Sequence, residues 1–169
     1  MGDLKPKKVS ESATYDHTYK VFPNDLNSND TVFGGLVMAI LDRVAVVVAE
    51  RHSGQTCVTA SVDSMHFLAP AKRGDILVFR AAVNRTWKTS MEIGLKVSAE
   101  HYRTGEQKHI LSAYFTFVAV NGQGIPIEVP PVEPETLVEK RRFEEAEVRR
   151  QRRKEEKEMR MQRRKEAGF

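Results

Sequence analysis

The sequence is poor in several things, and each absence narrows its chemistry. One cysteine, Cys57, stands among 169 residues. That excludes an internal disulfide framework and a multi-cysteine zinc site, and it fits a reducing compartment. No secretory leader is expected, because Met1-Gly2-Asp3-Leu4-Lys5-Pro6 has no apolar core. Long apolar runs are also missing. The longest, Leu36 to Ala49, is broken by Asp42 and Arg43 and falls short of the ~20 residues that a membrane span needs. A cytoplasmic location is the expectation. The signatures of triad hydrolases, P-loop nucleotide enzymes, dinucleotide-binding folds and zinc proteases are absent. The five histidines, His17, His52, His66, His101 and His109, lack metal-ligand spacing. Cys57 falls inside an expected strand without a basic neighbour, and reads as a core thiol.

Charge is present but uneven. Residues 133–169 carry 13 Lys+Arg and 10 Asp+Glu, against 14 and 13 in residues 1–132. The sequence pI of 9.2 is therefore mostly a property of the tail, and a nucleic-acid-binding core is not expected.

The pattern along the chain is β-α-β-β-β-β. Residues 1–12 are Lys/Ser/Glu-rich and expected to fray. Thr14–Phe22 reads as a strand, ended by Pro23-Asn24-Asp25. Asn27-Ser28-Asn29-Asp30 is a loop of helix-capping side chains, and Gly34-Gly35 opens the apolar segment to His52. Its valines favour a strand, but its length, the caps before it and Gly54 after it favour a helix. It is apolar on nearly every face, so burial on nearly every face is expected. Four strands follow: Thr56–Phe67, Ile76–Trp87, Ser90–His101 and Lys108–Val120. In the third, Met91, Ile93, Leu95, Val97 and Ala99 share one face. Glu92, Lys96, Ser98 and Glu100 share the other. Short turns between strands imply an antiparallel sheet, and one apolar helix against it gives an α+β arrangement. A helix buried all round requires a sheet that wraps it or a second protomer. Prolines 126, 130, 131 and 134 mark a linker. Residues from Pro134 onward read as one long charged helix. Leu137 to Val148 is its docking part, and the remainder is read as solvated or, as a minority reading, bound to an anionic surface.

Few residues stand out chemically. Asp42 has Met38, Ala39, Ala45 and Val46 as its helical neighbours. A carboxylate there needs an ion-pair partner or a wet cleft. Either it pairs with an arginine of the sheet or a partner, or it is a functional carboxylate suited to general-base work. Gly34-Gly35 is either a tight turn or an opening through which a ligand reaches backbone N–H groups at the positive end of the helix. Such groups would stabilise an oxyanion. Asn27 and Asn29 read as caps or as site residues.

Taken together, Asn27-Ser-Asn-Asp-Thr-Val-Phe-Gly-Gly35, Met38-Ala-Ile-Leu-Asp42, Val58-Thr-Ala-Ser-Val-Asp63-Ser-Met-His-Phe67, Pro70 and Gly74-Asp75 resemble the hotdog-fold acyl-CoA thioesterases. The short bacterial acyl-CoA hydrolases and the brain-type cytosolic enzymes are the similar groups. The resemblance spans about residues 14–121. It implies an antiparallel sheet wrapped around one long apolar helix, with a charged C-terminal helix appended. The boundaries are then a flexible 1–12, a hotdog domain 13–132 and an extension 133–169. The implied activity is hydrolysis of acyl-CoA to CoA and a carboxylic acid, with no further cofactor. Asp42 corresponds to the helix aspartate, as base or nucleophile. Asn27 corresponds to the loop asparagine, and Gly35 to the residue whose N–H polarises the thioester carbonyl. The implied site lies between two protomers of a homodimer, and dimers often assemble further as trimers of dimers. Gly34, with Arg85, Lys88, Thr89 and Ser90 at one sheet turn, is assigned to substrate and CoA. Asp30 stands where relatives often have glycine. A hotdog acyl-CoA sensor or carrier is the alternative.

Overall fold

A computed structural model describes residues 4–166. Two sheets and two long helices make up the chain. A short β1 (Lys7–Lys8) and a 3-10 turn at Val9–Glu11 precede β2 (Thr14–Lys20) and a second 3-10 turn at Pro23–Asp25. Helix α1 (Gly34–Ser53) follows. Then come β3 (Thr56–Val62), β4 (Ile76–Thr86), β5 (Ser90–Glu100), β6 (Gln107–Val120), β7 (Val132–Glu133) and α2 (Leu137–Glu166). The five-stranded sheet has the order β2-β4-β5-β6-β3 with antiparallel neighbours throughout. Helix α1 lies across its inner face.

Helix α1 forms despite its valines because both ends are specified. Phe33 enters in extended conformation, and Gly54 leaves at φ 69° while its N–H reaches Glu50 O at 2.8 Å. Only glycine takes that left-handed turn without strain. Val37, Ile40, Leu41, Val44, Ala45, Val48 and Ala49 are buried against Leu77, Phe79, Ile93 and Phe117 of the sheet. Within one protomer the burial is not complete around the helix, which leaves room for a second protomer to finish it. Met38 and Val47 are 46% and 40% exposed. With Ala39, Asp42 and Arg43 they form one seam that nothing in the protomer covers.

One expectation is corrected. The N-terminal segment does not fray from Lys7 on. Lys7 and Lys8 pair in parallel with Val132 and Glu133, and Val9 is 4% exposed. Lys7 Nζ donates to the carbonyls of Arg51 and His52 at the end of α1, where a cation meets the negative pole of the helix. On the outer face of β5, Glu92 is fully buried and Ser98 nearly so, while Lys96 is exposed.

Helix α2 explains that burial. It starts at a capping box, in which Glu139 N donates to Thr136 Oγ1 and Glu139 Oε2 accepts from Thr136 N. It then lies over the outer face. The docked residues are Phe143, Ala146, Arg149 and Arg153, spaced by three or four. Leu137 and Val148, expected to dock, are 85% and 54% exposed. Arg149 donates from Nη2 to Glu92 Oε1 at 2.7 Å and stacks 3.7 Å from the Tyr114 ring centre. Arg153 Nη1 donates to Asp63 Oδ2 at 2.7 Å and to Glu92 Oε2 at 3.2 Å. Asn84 Nδ2 completes the shell of Glu92 at 3.0 Å. Such a group is tolerated in the interior only because each carboxylate oxygen is paired. The tail is thus solvated only past Arg153, a later boundary than the sequence reading drew. Its last residues, 167–169, lie outside the described part.

Candidate active site

The loop before α1 is built by Asn27. Its Oδ1 accepts from Asn29 N at 2.9 Å, and its Nδ2 donates to Thr31 Oγ1 at 3.0 Å. The main chain closes the turn through Asp30 N to Asn27 O at 3.1 Å. Asp30 sits at φ 55°, the left-handed conformation that glycine adopts freely and Asp tolerates better than most residues. The loop therefore keeps a glycine-like shape with an aspartate in it. Asn27 retains a second amide hydrogen beyond its bond to Thr31.

This loop and the start of α1 enclose a cavity of about 380 Å³. Asn27 and Gly34 supply its polar edge, while Val37, Phe67, Leu68 and Ile110 supply apolar wall. No side chain caps the helix start. Gly34 and Gly35 N–H groups therefore point out of the first turn without an intrahelical acceptor. A Cβ at Gly35 would lie 2.4 Å from the exposed Phe33 ring, so a larger residue there would have to displace that ring.

Asp42 lies two turns along the helix, in the uncovered seam. Thr59 of β3 donates to its Oδ1 at 2.6 Å, its one side-chain hydrogen bond among the described residues. Among the described residues no cation lies within ion-pair distance of Asp42, so the sheet arginine that one reading offered is not its partner there. Thr59 escaped the sequence reading. Thr59 shares the parity of buried Cys57 two residues before it, but it is exposed and β3 does not alternate in burial, so nothing in the strand marked it. Its helix partner could not be read from spacing.

The sheet-turn residues assigned to CoA separate in the structure. Arg85 is committed to α2, through Glu147 at 3.2 Å, Phe143 O at 3.2 Å and the Phe143 ring at 4.0 Å. In this structure its guanidinium seats that helix. Lys88 remains exposed, 3.7 Å from Glu128. Thr89 accepts from Ala119 N through its carbonyl, and Ser90 lines a cleft beside α2. Asn29 gives its N–H to the Asn27 turn. Cys57 is buried beside Ser53 Oγ at 3.2 Å, and burial pushes its thiol pKa up, away from nucleophilic character. Among the described residues, no three His, Cys, Asp or Glu side chains converge as a metal site.

Residues 29–106 match the family model described as the thioesterase superfamily. The chain is 41% identical over 119 residues to the acyl-CoA thioester hydrolase YkhA of Bacillus subtilis, covering 70% of this chain and 69% of that one. The chain belongs to the thioesterase superfamily. Its fold is the hotdog fold of that superfamily. The acyl-CoA hydrolase of Staphylococcus aureus, solved with butyryl coenzyme A, coenzyme A and coenzyme A disulfide, superposes with a TM-score of 0.88. It shares 37% identity, covering 96% of this chain and 99% of that one. An apo-hexameric acyl-CoA thioesterase gives a TM-score of 0.87 at 38% identity, with 90% and 97% covered. Alanine variants of the Staphylococcus aureus hydrolase have been solved at one aspartate, one asparagine and one threonine. No helix among the described residues is long and apolar enough to cross a membrane.

Proposed function

We propose that the chain hydrolyses acyl-CoA thioesters to CoA and a carboxylic acid, at a site shared by two protomers of a homodimer. One observation carries the reading: a mid-helix carboxylate without a cation, held by a hydroxyl at 2.6 Å in the open seam of α1. The family membership supports the substrate class, and the residue types varied in the Staphylococcus aureus hydrolase match Asp42, Asn27 and Thr59 in kind.

The case for sharing is metric. Gly35 and Asp42 are seven residues apart, which at 1.5 Å per residue is about 10.5 Å along one face. A carbonyl oxygen held at Gly35 N–H is too far from Asp42 of the same chain for a water between them to react. An antiparallel pair of α1 helices about a twofold axis closes the gap. It also covers Met38 and Val47. One protomer then supplies Asn27, Gly34 and Gly35, and the partner supplies Asp42 and Thr59. The hexameric relative supports a further trimer of dimers.

Asp42, oriented by Thr59, takes a proton from water as the water oxygen attacks the carbonyl carbon. Negative charge gathers on the carbonyl oxygen at the Gly35 N–H, and Asn27 orients the substrate. The C–S bond breaks, and the CoA thiolate takes the proton from Asp42. Direct attack by the carboxylate, through an anhydride that water opens, uses the same atoms. A single turnover in heavy-oxygen water places label in Asp42 only in that second route. The apolar cavity behind Asn27 and Gly34 suits the acyl chain, and Lys88, Thr89 and Ser90 stay assigned to CoA. The reaction consumes only water and substrate, so turnover should persist with a metal chelator. The cytoplasm, where acyl-CoA is made and used, is the proposed location. The domain division becomes a hotdog unit over 13–132 with 133–169 as an extension that closes its outer face.

Mixing inactive Asn27→Ala and Asp42→Asn subunits is the test of the shared site. Verified mixed dimers should regain about a quarter to a half of wild-type thiol release, because one of their two sites holds both intact residues. Mixed dimers without any recovery would place both residues of each site in one protomer. Saturable binding of acyl-CoA by the wild type without release of free thiol would favour the sensor or carrier.

A further inference from the structure

Arg153 links the outer face of the sheet to the candidate active site. Its Nη1 donates to Asp63 Oδ2 at 2.7 Å and to Glu92 Oε2 at 3.2 Å. The two acids do not depend on it equally. Glu92 is also held by Arg149, at 2.7 Å, and by Asn84, at 3.0 Å. Asp63 has no other side-chain hydrogen bond among the described residues. Its side chain is only 17% exposed, so without Arg153 a carboxylate would stand mostly buried and unpaired.

Asp63 stands at a division in the chain. It is the first residue past β3, an edge strand whose one neighbour is β6. Its N–H still reaches Tyr114 O of β6, at 3.0 Å. The chain then leaves the sheet and rejoins it where Leu68 N meets Ile110 O at 2.8 Å. Among the described residues, no main-chain hydrogen bond holds Ser64, Met65, His66 or Phe67 in between. Yet Phe67 lies over the start of α1, 3.4 Å from where a Cβ of Gly34 would be, and with Leu68 it walls the 380 Å³ cavity. Phe67 is 48% exposed, so packing alone does not fix its ring. Four residues before Asp63, Thr59 donates to Asp42. Asp63 is thus held midway between the hydroxyl that orients the carboxylate and the ring that walls the acyl cavity. In the shared-site arrangement those two groups serve different sites of one dimer.

We infer that Arg153 is a positioning residue of the active site: through Asp63 it fixes residues 64–68 and so sets the acyl cavity behind Gly34. The inference rests on the hydrolysis proposed above. A loop without that anchor samples more conformations, and ordering it around an acyl chain costs affinity. Helix α2 then has a part in substrate selection as well as in closing the sheet.

Two variants cut the tie from opposite ends. Arg153→Ala removes the donor. Asp63→Ala removes the acceptor while Arg153 keeps Glu92, so α2 stays docked. The single tryptophan, Trp87, donates to Glu147 of α2 at 2.7 Å, and its emission reports that docking. Where Trp87 shows α2 released by Arg153→Ala, Asp63→Ala decides. Amide exchange over residues 64–68 reads the loop without substrate, and should speed up at least about tenfold in both variants. The ratio of kcat/KM for hexanoyl-CoA to that for acetyl-CoA reads the cavity. It should change at least about fivefold in both, carried by KM. Arg150→Ala loosens α2 at the Trp87 ring, 4.5 Å away, without touching Asp63. It should leave exchange and ratio within about twofold of wild type. Phe67→Ala should move the ratio in the same direction, and adding Asp63→Ala to it should move it little further.

A plain loss of folded enzyme lowers both substrates together and leaves their ratio fixed. Unchanged exchange over 64–68 in Asp63→Ala overturns the inference, with or without turnover. An unchanged ratio in both variants does so too, as does a ratio that moves equally in Arg150→Ala. A wild type that releases no free thiol would refute the hydrolysis instead, and exchange would still decide whether Arg153 holds the loop.

Discussion

The two faces of the sheet are closed by helices of opposite composition. Helix α1 brings nine buried residues, nearly all apolar, to the inner face, whereas α2 buries only Ala146 and closes the outer face with arginines. Apolar burial is non-directional and spreads over many contacts, so its loss is graded. The outer face depends on one buried carboxylate, Glu92, and the few groups that reach it. Replacing such a cluster by apolar side chains is often neutral, but removing one partner leaves a charge stranded. The inner face therefore supplies tolerance and the outer face supplies register.

The sharpest contrast comes from the one acid on the inner helix. Asp42→Asn should lower kcat by about 10²–10⁴-fold, the usual worth of a positioned base. The melting temperature should barely move, because asparagine still accepts from Thr59. A variant with kcat near wild type would remove Asp42 from the chemistry. On the outer face the expectation is reversed. Arg149→Ala should leave the catalytic residues in place but destabilise the fold by about 3–5 kcal/mol in urea unfolding. Truncation after Val148 should do the same, while truncation after Lys154 keeps Arg149 and Arg153 and costs little. Equal stability of the two truncations would break the distinction between the faces.

A smaller effect is expected from His52, buried at the end of α1 with Nε2 2.9 Å from Pro130 O. Burial holds its pKa below the ordinary 6.5, with the nearby Lys7 charge acting in the same direction and the Pro130 bond opposing it. The folded state then binds fewer protons than the unfolded chain as pH falls below about 6.5. Stability is full above that value and is lost on acidification, by at most about 1.4 kcal/mol per pH unit for one proton. Unfolding of His52→Gln should show a flatter slope over that window. An unchanged slope would assign the acid sensitivity to carboxylates.

Much of the inner face was legible. Length and capping overrode the valines of α1, and the alternation of β5 identified its buried side. The candidate site was legible in part, since Asn27, Gly35 and Asp42 stand in recognisable segments. Thr59 was not, because a helix–strand contact depends on where the helix crosses the sheet. The outer face was not legible. Glu92 alternates with the apolar side of β5, and its cover, Arg149, lies 57 positions later. Charge runs read as solvated when nothing local says what they meet. The contacts of Arg85 were illegible for the same reason, since its partners Phe143 and Glu147 lie on α2.

The free edge at β3 has a consequence for how the protein survives its own synthesis. The strand Thr-Cys-Val-Thr-Ala-Ser-Val ends the sheet without a neighbour, is uncharged and proline-free, and leaves Val58 and Val62 46% and 48% exposed. Those are the traits of a segment that templates fibrils. In the homodimer proposed above, a newly made subunit would carry this strand open until its partner covers it, so correct assembly would compete with runaway stacking. Dilution, which ordinarily protects a protein from aggregating, would here favour the solitary and more hazardous form. Cells would be served by making the two copies close together, and a mutation that merely weakens pairing would be felt as proteotoxicity before it was felt as lost activity.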